Sequence, residues 1–511
     1  MDMFRKIIIR LFLPLLVIIV TLFVIRWYLL QPPADVTLEN GARINWTSCW
    51  FDVPIDKVVY CAQLHPSRQN VGKTISLPVV VYKHYGLQHK PDPVLFINGG
   101  PGSANGLESD NWSYYIDGLD WQRDFIVFDH RGTGLSTPKP ECPSLFTFYY
   151  EAITTNMAPK DEYRRAYSKE ERCRRMLVEQ GNELSGYSTL DNAQDIRDLM
   201  DVIDYPEWNL YGTSYGTRVA LELMRDTPTS IRSVILDSVY PADKNSMLTW
   251  PSLVNNTMEM IFEYCNKKEK CRKAYPDLRG LFTKGLTELR RNPVHLNLPE
   301  FYSDGSLDIY VNDFRFTQAL FMAMYSSELL ATLPKAIDGA AYGAHSLMVP
   351  VMMAYADYML DSSFNDAIYY SVECNDNKLI TEEAFNAEVQ RFPWLKGYHK
   401  YAWRYYACKS WSTGTNKKLS LEPVRSTIPT LILSGQYDPT TPWQWAKKVH
   451  KELANSFHFV FPDAAHGVLW SDECAVLMSR DFMSNPTVSP KQTCLTLNSN
   501  DIGRINFETD F

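Results

Sequence analysis

Three residues of this 511-residue chain have the types and the order needed for nucleophilic acyl transfer: Ser214, Asp438 and His466. A serine hydroxyl attacks a carbonyl only when a base takes its proton. Histidine does that near neutral pH, and an aspartate behind it fixes the imidazole tautomer and steadies the imidazolium. Ser214 sits in NLYGTSYGTR (Asn209 to Arg218), Asp438 in IPTLILSGQYDPTTP (Ile428 to Pro442) and His466 in FHFVFPDAAHG (Phe457 to Gly467). Taken alone, Asp438 before Pro439 reads as a turn residue and His466 before Gly467 as a loop histidine. Asp463 is a competing acid, but it lies three residues before His466 on the same loop, a poor place for a separate arm.

The elements that must position these residues decide between the readings. PVLFING (Pro93 to Gly99) and DFIVFDHRG (Asp124 to Gly132) are short apolar runs ending in turns, the pattern of buried parallel strands. Ile196, Leu199, Met200 and Ile203 have amphipathic-helix spacing, and WNLYGTSYG is followed by the helical TRVALELMRD. Strand, sharp turn and helix around Ser214 make a nucleophile elbow, in which Gly212 and Gly216 allow close packing while the serine takes a strained conformation. SVILDSVYP (Ser233 to Pro241) is the next strand. The alternation then stops for helical, Tyr- and Met-rich sequence and resumes at the Asp438 and His466 strands. The expectation is an α/β fold of the α/β-hydrolase type: a mostly parallel sheet with flanking helices, all three arms at C-terminal strand ends in the order serine, acid, histidine. Its predicted parts are residues 1–30 as an N-terminal membrane anchor or signal, 31–241 as the first part of the core, 242–421 as an inserted helical cap and 422–511 as the C-terminal part of the core.

An acyl-transfer site also needs donors for the oxyanion. NGGPGS (Asn98 to Ser103) follows the first predicted strand, and the expected donors are the backbone N–H groups of Gly100 and Tyr215. The same letters would also serve an ordinary Gly-Pro turn.

Composition bounds the rest. The chain is 45% hydrophobic and 22% charged, with a net charge of −8 and no basic stripe, which argues against nucleic acid as a partner. Between Ile7 and Leu30 almost every residue is apolar, apart from Arg10, Pro14, Thr21 and Arg26. Arg5, Lys6 and Arg10 precede the span, so the positive-inside rule leaves the N-terminus in the cytoplasm and sends the body outward. RWYLLQPP offers no small-residue cleavage pattern, which favours an uncleaved anchor over a secreted form. Ten cysteines, an even number, suit disulfides in an exported protein, and pairing between neighbours in sequence is expected. There is no C-x-x-C pair and no nearby pair of histidines, so zinc is not expected, nor is any organic cofactor. Asn45, Asn111 and Asn255 begin glycosylation tripeptides that matter only in a eukaryotic source.

GGPG, DHRGTGLS (Asp129 to Ser136), GTSYG, GQYDPTTP and AAHG together resemble the prolyl iminopeptidase and tripeptidyl aminopeptidase family of serine exopeptidases, over roughly Cys49 to Cys494 and more closely on the tripeptidyl side. In DHRGTGLS, Asp129 and Arg131 are expected to brace neighbouring loops by ion pairing. Many relatives have histidine before GGPG where this chain has Asn98, whose amide can still bond to the loop backbone. The resemblance implies that acidic residues of the cap bind the free α-amino group of a peptide, and SVECND (Ser371 to Asp376) offers Glu373 and Asp376. It therefore implies an exported peptidase removing single residues, such as proline, or tripeptides from free N-termini. An esterase or lipase using the same residues is the alternative, suited to aromatics such as Trp403, Tyr405 and Tyr406. A catalytically silent binding protein is disfavoured because all three arms are present.

Overall fold

The computed structural model describes residues 20–21 and 31–496, apart from 70, 87, 227, 300–304, 378, 396–401 and 413–418. Its centre is a ten-stranded sheet in the order β1-β2-β3-β4-β6-β5-β7-β8-β11-β12. The strands are β1 (Val36–Thr37), β2 (Arg43–Thr47), β3 (Val59–His65), β4 (Leu77–Tyr82), β5 (Lys90–Ile97), β6 (Arg123–Phe128), β7 (Trp208–Thr213), β8 (Ile231–Asp237), β11 (Thr430–Gly435) and β12 (Ser456–Phe461). From β6 through β5, β7, β8 and β11 to β12 every pairing is parallel. The strands expected around PVLFING, DFIVFDHRG, WNLYGTSYG, SVILDSVYP and the two later motifs are β5, β6, β7, β8, β11 and β12. The first four strands, by contrast, pair antiparallel and add an edge that the apolar runs did not announce.

The central strands are apolar on both faces because helices cover both. Along β5, Leu95 and Ile97 enter one apolar core while Val94 and Phe96 enter the other. At the sheet margin β12 is only partly buried. Every described residue of the helix Thr189–Ile203 that carries the predicted apolar spacing packs against the first core.

Between β8 and β11 the chain leaves the sheet and forms helices together with a separate antiparallel pair, β9 (Val294–Leu298) and β10 (Leu307–Val311). This layer has its own apolar cluster around Leu253, Phe316, Leu320 and Ile337. It also takes in a segment that sequence alternation left with the core. The helices Pro143–Thr154 and Pro159–Glu179, which follow β6, dock onto it through Ile153, through an Arg315–Glu162 ion pair of 3.0 Å and through an Asn312 amide bond to the Met157 carbonyl.

All ten cysteines are paired, each with its neighbour in sequence: Cys49–Cys61, Cys142–Cys173, Cys265–Cys271, Cys374–Cys408 and Cys474–Cys494. Among the described residues no helix is long and apolar enough to cross a membrane, and the expected anchor over residues 1–30 lies outside them except for Val20 and Thr21.

Candidate active site

Ser214 stands between the end of β7 and the helix Tyr215–Asp226, with a backbone φ of +55°. A non-glycine residue rarely adopts that conformation, and here its neighbours impose it. The Ser214 amide donates to the Asp237 carbonyl at 2.9 Å, while the Ser214 carbonyl accepts from the Thr217 amide at 3.0 Å and its hydroxyl at 2.6 Å. The flanking glycines are required by space. A Cβ on Gly212 would come 2.7 Å from the Gly216 carbonyl oxygen, and one on Gly216 would collide with the carbonyl of Ile97 in the adjacent strand. Both obstacles are backbone and cannot swing aside. Gly216→Ala is therefore expected to destabilise the protein by about 3 kcal/mol, the upper end for overpacking a core, seen as a lowered thermal midpoint. An unchanged midpoint would mean that the elbow has slack the geometry does not show.

The other two arms meet behind it. His466 Nδ1 lies 2.9 Å from Asp438 Oδ2. Since an ionised carboxylate only accepts, Nδ1 carries the hydrogen, which leaves Nε2 as the free base. Asp438 is fully buried, and its oxygens also accept from the Thr440 amide (3.0 Å), the Thr441 amide (2.8 Å) and the Thr441 hydroxyl (2.7 Å). Burial pushes this carboxyl up, but the His466 charge and these hydrogen bonds outweigh it and hold it below its ordinary range. Burial likewise pulls His466 down, and the Asp438 carboxylate overrides it so that the imidazole is held above its ordinary value.

The histidine loop is pinned from below and above. The buried Asp237, at the end of β8, accepts from the amides of Val468 and Leu469, both at 2.9 Å, and the Ser238 hydroxyl accepts from the Gly467 amide. From the helical layer, the Ser327 hydroxyl accepts from the Ala465 amide, and the Tyr325 ring meets the imidazole edge-on at 5.0 Å. Asp463, the competing acid, instead pairs with Lys268 at 3.2 Å.

The NGGPGS turn lies against the elbow, and Gly99 and Gly100 line the same cavity as Ser214 and His466. Gly100 has φ +108°, and a Cβ there would come 2.6 Å from the Gly102 amide nitrogen. Asn98 closes the turn as expected, its side-chain oxygen accepting from Gly99 N–H at 2.7 Å and its amide donating to the Ala104 carbonyl at 3.1 Å. Tyr215 supplies the first amide of the elbow helix, which has no partner within that helix. Its phenol points into the core, bonded to Thr189 and Asn192.

The two carboxyls of SVECND part company. Both lie on the helix Asp366–Asp376, yet only Glu373 lines the cavity. Its Oε2 accepts from Ser246 Oγ (2.9 Å), Asn377 Nδ2 (3.0 Å) and Tyr240 OH (3.2 Å). Asp376 does not line the cavity. Its oxygens are taken by the Thr189 amide (3.0 Å) and hydroxyl (2.5 Å), and burial, partly offset by Arg218, pushes it up to about 6. It is a brace: three residues further along the helix than Glu373, its carboxyl meets Thr189 instead of the cavity. In DHRGTGLS, Arg131 forks onto Asp195 at 2.8 and 2.5 Å, the ion pair expected of it. Asp129 makes none. It accepts from the backbone amides of Asn105 and Leu135, so its bracing runs through hydrogen bonds.

Sequence reading passed over Thr441, Asp237, Ser327 and Tyr325. Thr441 had a signal, a hydroxyl three residues after Asp438 and so placed to cap its carboxylate. Asp237 had one too, an acid at a strand end. Ser327 and Tyr325 had none, because they come from the layer folded over the sheet.

The cavity holds about 1060 Å³. The sequence profile of the alpha/beta hydrolase fold matches residues 92–282, and that of TAP-like proteins matches residues 397–494. The chain has the α/β-hydrolase fold. Among relatives of this α/β-hydrolase, the tripeptidyl aminopeptidase of Streptomyces lividans is 24% identical over 463 residues, covering 85% of this chain and 83% of that protein. A putative hydrolase, YuaR, of Escherichia coli (strain K12) is 23% identical over 442 residues, 80% and 84% of the two chains. Proline iminopeptidase of Arabidopsis thaliana is 22% identical over 188 residues, 36% of each. The resemblance thus extends along most of the chain on the tripeptidyl aminopeptidase side and over about a third on the proline iminopeptidase side.

Proposed function

We infer that the protein is an exported serine aminopeptidase, releasing single residues, proline among them, or tripeptides from free peptide N-termini. The observation that carries this reading is the His466–Asp438 pair at 2.9 Å, opening onto the same cavity as the strained Ser214 and the held carboxyl of Glu373. His466 Nε2 takes the Ser214 proton as Oγ attacks the scissile carbonyl, and the Gly100 and Tyr215 amides receive the oxyanion. His466 then hands the proton to the leaving amine as the C–N bond breaks. Water, activated by the same imidazole, releases the acyl fragment and restores Ser214. Asp438 keeps the tautomer throughout. The tripeptidyl aminopeptidase relatives support peptide substrates, and the five disulfides support an oxidising compartment, periplasmic or extracellular.

Glu373 separates this reading from that of an esterase, because a carboxyl in the cavity wall serves an ammonium and does nothing for a neutral ester. Glu373→Gln is expected to raise KM for free-amine peptides about tenfold to a hundredfold, the worth of a charge-assisted hydrogen bond, while p-nitrophenyl ester turnover stays close to that of the parent. Steady-state kinetics on a peptide, its N-acetyl form and an ester read this directly. Equal effects on all three would count against Glu373 as the amine's partner, and ester turnover without any peptide cleavage would move the protein to the esterase class.

A further inference from the structure

A second pair of carboxyls lines the cavity away from Glu373: Glu170, on the helix Pro159–Glu179, and Asp366, at the start of the helix Asp366–Asp376. Glu170 is 6% exposed. Its Oε1 accepts from the Tyr370 hydroxyl at 2.9 Å, and its Oε2 is buried with no hydrogen-bond partner among the described residues. Asp366 Oδ1 accepts from the Tyr149 hydroxyl at 3.0 Å. Each carboxyl is thus oriented by a tyrosine, and Glu170, a residue of the cavity wall, keeps a buried Oε2 without a partner among the described residues. A buried oxygen left unpaired calls for a donor, and none of the described residues supplies one.

The charge of the wall indicates which donor. Glu141, Asp361 and Glu373 line the cavity as well, and Lys139, the lysine among the described lining residues, already pairs with Glu141 at 3.0 Å. Among the described residues no arginine lines it. We propose that Glu170 and Asp366 form a second anionic subsite that takes the basic side chain, ammonium or guanidinium, of a lysine or arginine in the peptide. This rests on the peptidase reading above and adds to it a substrate class. Burial holds the proton on Glu170 up to about 8 and on Asp366 up to about 6, so an empty subsite carries less negative charge than its carboxyl count suggests. An arriving cation displaces the Glu170 proton to solvent and leaves a carboxylate facing it. Glu373, held by Tyr240, Ser246 and Asn377, remains for the α-amine.

The test uses the full chain and peptide pairs that differ only in lysine against norleucine at the first, second or third residue, with acetyl-lysine as an uncharged control. At one position lysine is expected to raise kcat/KM about tenfold over norleucine, through KM. That ratio should fall to near one in the near-isosteric Glu170→Gln and in Asp366→Asn, with norleucine peptides cleaved as by the parent. Titration of the same pairs into Ser214→Ala by calorimetry reads the preference as a ratio of Kd values without turnover, so a failure of the catalytic reading leaves the subsite tested. No lysine preference at any position, or one that survives both substitutions, overturns the proposal. So does a Glu170→Gln penalty shared equally by lysine and norleucine peptides, which would assign the carboxyl to the α-amine or to the fold.

Discussion

Ser214→Ala is expected to lower kcat on any substrate the protein cleaves by about a millionfold, with KM little changed. Losses of that size follow when the nucleophile of a serine–histidine–aspartate site is removed, because the base is then left with nothing to activate. Alanine is also a mild change for the fold. The bonds that hold position 214 run through its backbone amide and carbonyl, to Asp237 and Thr217, and survive loss of the hydroxyl. A thermal midpoint near that of the parent, with turnover at background, is the expected pair of results. Turnover within tenfold of the parent would show that the chemistry is not at the elbow.

Asp438→Asn is the next largest, with an expected fall in kcat of about ten-thousandfold, since an amide in that place can donate to Nδ1 and favour the wrong tautomer. It carries a pH signature as well. In the parent, His466 must be neutral to act as base, and the Asp438 carboxylate holds it above its ordinary value of about 6.5. Activity is therefore full at high pH and is lost as pH falls through that raised value, so the acid limb of kcat/KM lies above pH of about 6.5. The variant loses the negative charge that chiefly raised the imidazole, and burial, which outweighs the remaining pull of Asp237, then moves the limb downward. A pH profile of kcat/KM for the two proteins checks both parts. A limb in the same place in both would mean that another group titrates there.

The reacting residues were legible because each lies just beyond the C-terminal end of a strand, and for Ser214 and Asp438 that strand is wholly buried. β7, β8 and β11 are apolar on both faces, so they stand out as short runs, and Ser214 and Asp438 fall where two of those runs stop. The antiparallel edge was not legible for the opposite reason. In β2 and β3, Ile44, Ala62 and Leu64 are buried while Arg43, Asn45 and Gln63 between them are not, and such alternation over five to seven residues is faint beside loops of similar composition. The covering layer was half visible. Its main insertion interrupts the alternation, but the helices Pro143–Thr154 and Pro159–Glu179 sit where any strand-to-strand crossover would, and only tertiary contact reveals that they belong over the site. Glu170 carried no signal of its own, lying among the charges of SKEERCRR within that second helix. Glu373 and Asp376 show the same limit at finer scale: sequence could nominate both, and a turn of helix decided which one reaches the cavity.

The most direct measurement incubates the full chain, produced under oxidising conditions, beside Ser214→Ala, with a library of free and N-acetylated peptides, and reads the products by mass spectrometry. Short N-terminal fragments released from free peptides by the parent alone, and blocked by acetylation, are the predicted result; their length states at once whether one residue or three are removed. Cleavage that ignores acetylation, or that persists in Ser214→Ala, would contradict the assignment of this α/β-hydrolase as a serine aminopeptidase.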